Sequence, residues 1–385
     1  MLRFIRLPIS KISPYDVIII GAGINGCCSA YTLAQAGLNV ALIDQDGIAS
    51  GGSGAAGAFI SPKISKAGEL KEIMGEAHAE ALEFYTTHFP QFTLTKPLLH
   101  IANSPQESEK LDHFKRETSL HHSVIDDELY TLLTPEASED SYIYFSEGAV
   151  VDAQGVCNAM AEGIDFYPLK VEKLIHNDDI WQVGDLHTRH LILAIGAYPK
   201  LLPIDYVGLR GIWGHRIDIE TSTHIPCILH HHVSISPITQ EGIVAIGATH
   251  DVHYSPFSGE VYDVEQGREI LLDKASKTLK LNNINILKDY TGLRSGSNDY
   301  LPMLGSLVNA EETLKKYPHI RHGEKIDPSE YIYYPNVTMI NGSGGYGFVL
   351  APYLAKQLNE FIIKGKPIAP ILSPSRFFPR WAKRK

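Results

Sequence analysis

The chain has 385 residues, 44% of them hydrophobic and 20% charged, with 34 Lys plus Arg against 44 Asp plus Glu for a formal net charge of −10. Such a composition belongs to a globular protein of two domains or one large one and excludes global disorder. The acidic balance argues against a surface given over wholly to nucleic acid, and no apolar run nears the roughly 18 residues of a membrane span.

Met1–Ile12 is mildly basic and apolar, too short for a signal peptide and without a small-residue cleavage site. Tyr15-Asp16-Val17-Ile18-Ile19-Ile20 reads as a buried parallel strand, being short, apolar and followed by glycine. After Gly21-Ala22-Gly23-Ile24-Asn25-Gly26, Cys27–Ala36 has helical spacing with Gly37 beyond it, and Asn39–Ile43 is a second strand ending at Asp44. This βαβ unit makes the fold α/β with a parallel sheet. Ser50–Gly57 is a small-residue loop, and helices are predicted over Gly68–Phe89, Ser104–Ser119 and Asp152–Gly163. Phe166–Ile175 and Asp179–Val183 alternate as strands about Asn177-Asp178, and Leu191–Ile195 is an apolar strand ending in Gly196. Between Leu209 and Leu287, Ile217, Ile219, Ile228, Val233, Ile235, Ile243 and Ile246 predict an antiparallel sheet, with a helix over Val264–Lys280. Gly292–Gly305, a polar insertion at 306–335, a strand at Val337–Ile340, the glycine-rich Asn341–Phe348 and a helix over Ala351–Ile363 complete the pattern.

Gly21-x-Gly23-x-x-Gly26 has the logic of a pyrophosphate loop: a tight turn, a backbone open to phosphate, and close packing of helix on strand. The helix N-terminus adds unpaired N–H groups and positive dipole. Asp44, 18 residues beyond Gly26, stands where a ribose 2′-hydroxyl is bound, and an acid there disfavours a 2′-phosphate. This loop alone does not separate a nicotinamide from a flavin dinucleotide. The further glycine-rich loops Ser50–Gly57 and Gly342–Gly347 do, because an extended flavin needs backbone contact along its ribityl chain and ring.

With these loops, Leu193-Ala194-Ile195-Gly196-Ala197, Gly292-Leu293-Arg294, Asp299–Gly305 and Leu350-Ala351-Pro352, nearly the whole chain resembles a family of FAD-dependent oxidoreductases. That family includes D-amino-acid oxidase, glycine oxidase and sarcosine oxidase. The resemblance implies a Rossmann-like FAD-binding domain (14–66, 147–205 and 289–375) interleaved with an α+β substrate domain on an antiparallel sheet (67–146 and 206–288), and a basic tail (376–385). It implies FAD contacts at Gly21, Gly23, Ile24, Asn25, Gly26, Asp44, Gln45, Ser53, Gly54, Gly57, Val171, Ala194, Gly196, Gly344, Gly345, Tyr346, Gly347 and Phe348. Arg294 matches the arginine that holds the substrate carboxylate, with Tyr346 beside it as a second catalytic candidate. The loop before Gly57 departs from the family spacing by one residue.

Within the family, four stretches look like the oxidoreductase domains of bifunctional proteins of tRNA 5-methylaminomethyl-2-thiouridine biosynthesis. They are Gly57–Lys66 with the Glu80–Tyr85 helix, Ile246-Gly247-Ala248-Thr249, Asp299–Gly305, and Pro374-Ser375-Arg376-Phe377-Phe378. That likeness implies removal of the carboxymethyl group from carboxymethylaminomethyl-uridine in tRNA, with methylation left to a separate methyltransferase. Tyr346 departs from it, since those domains carry an arginine there, and Gly344-Gly345-Tyr346-Gly347 looks more like D-amino-acid oxidase. A free small amino acid (glycine, sarcosine or a D-amino acid) is therefore the alternative substrate, and a flavin-binding module without turnover is the alternative of another class.

Arg376–Lys385 holds five basic residues interleaved with aromatics, a pattern suited to tRNA phosphates and bases, to an anionic surface, or to a solvated tail. His230-His231-His232 offers no metal site, because strand alternation separates successive side chains and no acid or Cys cluster stands beside them. The four cysteines, with Cys27 and Cys28 adjacent, form no disulfide framework and suit core packing in a cytoplasmic protein. No acid or histidine is singled out as a general base.

Overall fold

The computed structural model describes residues 14–65, 68–198, 201–252 and 261–385. Met1–Ile12 and Lys66 of the stretch quoted above lie outside the described residues. Tyr15–Ile20 forms strand β1, Ile24–Gln35 helix α1 and Val40–Asp44 strand β2. β1 is central in a sheet of eight strands and pairs in parallel with β2 and with Leu186–Leu193. Tyr333–Asn341 and Asp165–Pro168 extend the parallel run on either side, and Met303–Val308 adds an antiparallel edge. Val17 and Ile19 face one core, Ile18 and Ile20 the other, so both faces are covered and the apolar run is continuous. Cys27, Cys28 and Cys157 pack in the first of these cores, and all four cysteines are buried free thiols.

The second sheet orders Asn285–Ser297, Leu209–Glu220, Ile243–Gly247, Ser234–Ile235, Ile228–His230, Thr93–Ile101, Tyr142–Val151 and Phe59–Ile60, with His122–Ser123 at the side. Its pairs are antiparallel except that Ile228–His230 runs parallel to Thr93–Ile101. Phe59–Ile60, Tyr142–Val151 and most of Asn285–Ser297 thus belong by pairing to this sheet, while Asp165–Leu193 belongs to the first. Three helices begin where a side-chain oxygen caps them: Ser104, Asp152 and Asp263 each accept an amide three residues on, worth about 1 kcal/mol apiece.

Ile243 and Ile246 both lie in the antiparallel-paired strand Ile243–Gly247, with Val244 and Ile246 in the core, because residues an odd number apart point to opposite faces of a strand. Three expectations are corrected. The strand read over Phe166–Ile175 is two, Asp165–Pro168 in the parallel sheet and Leu174–Asn177 in a hairpin with Ile180–Val183. That hairpin turns at Asp178 and Asp179, both at positive φ, as a two-residue turn between twisted strands requires. The C-terminal segment is not a solvated tail: Phe378 and Ala382 are fully buried, and Trp381 packs edge-on against Tyr206. Arg376 is likewise engaged, donating to both Asp299 carboxylate oxygens at 2.8 and 3.0 Å. Only Arg380, Lys383, Arg384 and Lys385 remain as exposed bases there. The 306–335 insertion packs Leu314, Ile320 and Tyr331 into the same core as Phe378.

Candidate active site

The C-terminal ends of the parallel strands converge on one elongated cavity of about 790 Å³, the place where open α/β sheets hold ligands. Gly21, Gly23, Ile24 and Asn25 of the β1–α1 turn line it, with Asp44 and Gln45 at the end of β2. Ser53 and Gly57 come from the small-residue loop, Val171 from the segment after Asp165–Pro168, and Ala194 and Gly196 from the end of Leu186–Leu193. Gly344, Gly345, Tyr346, Gly347 and Phe348 line it together with Arg294, and Gly347 lies against Ile24 of the β1–α1 turn. No residue of 306–335 reaches this wall. Gly26 and Gly54 stand behind it and act by close packing. A Cβ on Gly26 would lie 1.8 Å from the Gly21 carbonyl oxygen, and one on Gly54 2.1 Å from that of Ala49.

At the first end, α1 starts at Gly23 with no side-chain cap and no acid in its first turn, so its positive dipole end faces the cavity. The Ile24 amide donates to Ser53 Oγ at 2.9 Å, which draws the small-residue loop over the helix end. The Asp44 carboxylate accepts the Ala22 amide at 2.8 Å and the Asp46 amide at 3.0 Å. An anion-binding helix end beside a fixed acid fits the pyrophosphate and ribose of a dinucleotide.

At the second end, two backbones meet. A Cβ on Gly292 would come 2.8 Å from Gly52 Cα, so only glycine lets the loop lie flat on Asn285–Ser297, two residues before Arg294. The Arg294 guanidinium donates through Nη2 to the Thr249 carbonyl and lies over Gly214, where a Cβ would fall 2.1 Å from Nη2. Nη1 is 3.8 Å from the Cβ position of Gly345. Burial lowers the Arg294 pKa from its ordinary value, and among the described residues no carboxylate pairs with it. A partly desolvated cation without a counter-ion favours a ligand that provides the anion. A guanidinium is shaped to take a carboxylate through two parallel hydrogen bonds.

Further polar residues stand on or beside the wall. Asn341, 2% exposed, donates to the Gly196 carbonyl at 2.9 Å and accepts from Ser295 Oγ at 2.9 Å and from the Gly342 amide at 2.8 Å. It thereby joins both sheets at the cavity; the Asn-Gly step signalled only a turn. Lys63 Nζ sits 4.9 Å above the Tyr346 ring, its pKa lowered by burial. Tyr346 is raised, by burial first and then by the Glu107 charge. His230 is held at both nitrogens, by Ser61 Oγ at 2.6 Å and Ser234 Oγ at 2.8 Å. Burial, then the His100 charge, pushes its pKa down to about 3. His231 bonds Thr278 and His232 bonds Glu136; their rings lie 4.0 Å apart, while His230 keeps its own two serine partners. Among the described residues no group of three or more His, Cys, Asp or Glu gathers to hold a metal.

Comparison with known proteins bears on this site directly. The chain is similar to the tRNA 5-methylaminomethyl-2-thiouridine biosynthesis bifunctional proteins MnmC of Legionella pneumophila strain Corby (23% identical) and Leptospira interrogans strain Fiocruz L1-130 (24%). The matches cover 97% and 96% of this chain but 58% and 61% of those proteins, so the chain spans about three-fifths of their length. In fold it is similar to glycine oxidase from Geobacillus kaustophilus, with a TM-score of 0.75, 18% identity, and 94% and 99% of the two chains covered. It is also similar to iminodiacetate oxidase from Chelativorans sp. BNC1, with a TM-score of 0.69, 18% identity, and 93% and 98% covered. The sequence profile of the DAO family, FAD-dependent oxidoreductases, matches residues 16–361. With a dinucleotide cradle and, on the same cavity wall, an arginine that has no carboxylate partner among the described residues, the chain belongs to the DAO family of FAD-dependent oxidoreductases, and FAD is its cofactor.

Proposed function

We propose that this enzyme oxidises a secondary amine carrying a glycyl carboxylate, and that its substrate is carboxymethylaminomethyl-uridine in tRNA. The single observation that carries the reading is Arg294, half-buried at the cavity wall without a carboxylate partner among the described residues. The names of the curated relatives support tRNA as the substrate. Bound FAD supplies the two-electron acceptor. The chain supplies the rest: the α1 end and Asp44 hold the dinucleotide, and the interleaved segments 14–66, 147–205 and 289–375 form its domain. Arg294 takes the carboxylate through paired hydrogen bonds and so aims the neighbouring CH₂. With the amine neutral, one C–H hydride leaves with its electron pair and the nitrogen lone pair forms the C=N bond. Water adds to this iminium carbon, the C–N bond breaks, and the products are the aminomethyl nucleoside and glyoxylate. The freed primary amine is what a methyltransferase would consume. A tRNA substrate also places the enzyme in the cytoplasm.

The second reading, a free small amino acid as substrate, is favoured by Tyr346 in place of arginine and by the likeness to glycine oxidase. A module without turnover is set aside by membership of an oxidoreductase family. The deciding experiment is anaerobic addition of an N-substituted glycine to the purified flavoprotein. Bleaching of the flavin band is expected; protein that neither carries nor binds FAD, or a flavin that no glycyl amine reduces, contradicts the proposal.

A further inference from the structure

A secondary amine is mostly protonated near neutral pH, since alkylammonium groups ionise at about 10, and a protonated nitrogen has no lone pair to form the C=N bond. A group that takes that proton inside the site would let the abundant ammonium form react, rather than the scarce neutral form alone. Three histidines reach the cavity wall, His100, His230 and His231. His230 has both nitrogens bonded to serine hydroxyls, and His231 bonds Thr278 on the other side of the sheet. His100 is different. Its Nε2 lies 3.4 Å from Glu107 Oε1, while Nδ1 has no hydrogen-bond partner among the described residues and is not one of the buried unpartnered atoms.

Glu107 is fixed in turn. It occupies the first turn of the helix Pro105–Glu117, where its Oε2 accepts the Asn103 amide at 2.9 Å. Its side chain is 26% exposed, against 17% for His100, so the pair leads from cavity to solvent. Parallel pairing sets His100 beside His230, their rings 5.9 Å apart. The Glu107 charge is felt by Tyr346, the residue after Gly345 against which Arg294 lies.

We infer that His100 accepts the proton of the substrate ammonium at Nδ1, with Glu107 as the positioning residue that holds Nε2–H outward. The inference rests on the amine-oxidation reading above. In balance, the N–H bond of the ammonium breaks, its electron pair stays on nitrogen, and the proton leaves through the dyad to solvent. The hydride then departs from carbon as before. The charged and titratable groups facing the dyad are Lys110 on the same helix as Glu107, His230 on the adjoining strand, and Tyr346 with Lys63 across the cavity.

The test uses FAD-loaded native, His100→Ala and Glu107→Gln enzymes with sarcosine as probe, following flavin content, sarcosine binding by flavin difference spectrum, and anaerobic reduction rate against pH. His100→Ala is expected to keep its flavin and bind sarcosine within about threefold, but to be reduced about 10²-fold more slowly at pH 7. Its rate should climb tenfold per pH unit toward about pH 10, and added imidazole should restore it saturably. Glu107→Gln should lose about tenfold with flavin retained. If native enzyme is reduced while His100→Ala keeps the native pH profile and ignores imidazole, this inference alone is overturned. Native enzyme that no glycyl amine reduces overturns the amine-oxidation reading itself.

Discussion

The two ends of the cavity are built differently. The dinucleotide end is made of backbone: a glycine turn, an uncapped helix end and one acid, all within 30 residues of chain from Tyr15 to Asp44. The reaction end sets side chains from distant segments on a glycine-lined floor at Gly52, Gly214 and Gly292: Arg294, Tyr346, Lys63, His100 and Glu107, each brought in by a different element. Backbone sites tolerate no added atoms, whereas side-chain sites lose chemistry and keep their shape. Substitutions at the two ends should therefore fail in different ways.

The largest effect is expected at the backbone end. Gly26→Val forces atoms into the Gly21 carbonyl and should cost about 3 kcal/mol or more. It should abolish flavin binding, read by visible absorbance and thermal unfolding together. A yellow, stable Gly26→Val protein would erase the contrast between the ends. Next, Arg294→Lys should keep flavin and fold but lower the ratio of reduction rate to substrate dissociation constant by about 10²-fold. Lysine keeps the charge but loses the paired hydrogen bonds. Unchanged stopped-flow kinetics would remove Arg294 from its assigned role.

What could be read from the sequence follows the same division. The turn, Asp44 and the glycine loops were legible because local pattern determines them: a strand must end before the glycines, and an acid must end the next strand. Arg294 was legible only through likeness to a family. His100 was not, because a polar residue acquires its role only when pairing of distant strands, here Ile228–His230 with Thr93–Ile101, sets it against the cavity; Glu107 and Lys63 matter only through His100 and Tyr346 beside them. Asn341 shows the limit well: Asn-Gly announces a turn, not a link between two sheets. The C-terminal segment shows the converse. Its basic and aromatic residues suggested a ligand surface, yet Phe378 and Arg376 serve the fold.

A smaller effect sharpens that last point. Burial alone would raise the Asp299 pKa, but the Arg376 hydrogen bonds and charge outweigh it and hold the group below its ordinary value. A depressed folded pKa stabilises above the unfolded value of about 3.9 and loses that stabilisation as pH falls through the folded one. Arg376→Ala should thus cost about 1–2 kcal/mol at pH 7, with the gap from the native protein narrowing below about pH 4. A gap independent of pH in denaturant titrations would assign Arg376 to packing alone.

The smallest effect on chemistry is expected from the exposed bases. Changing Arg380, Lys383, Arg384 and Lys385 to Gln should leave sarcosine oxidation unaltered. It should weaken tRNA binding and reduce the slope of log affinity against log salt by up to about 3. An unchanged slope would move the tRNA contact elsewhere on the molecule.

The most direct measurement is nucleoside analysis of tRNA carrying carboxymethylaminomethyl-uridine after incubation with the FAD-loaded enzyme. Conversion to the aminomethyl nucleoside with equimolar glyoxylate is expected. An unchanged modified nucleoside beside rapid oxidation of free glycine or D-alanine would contradict it.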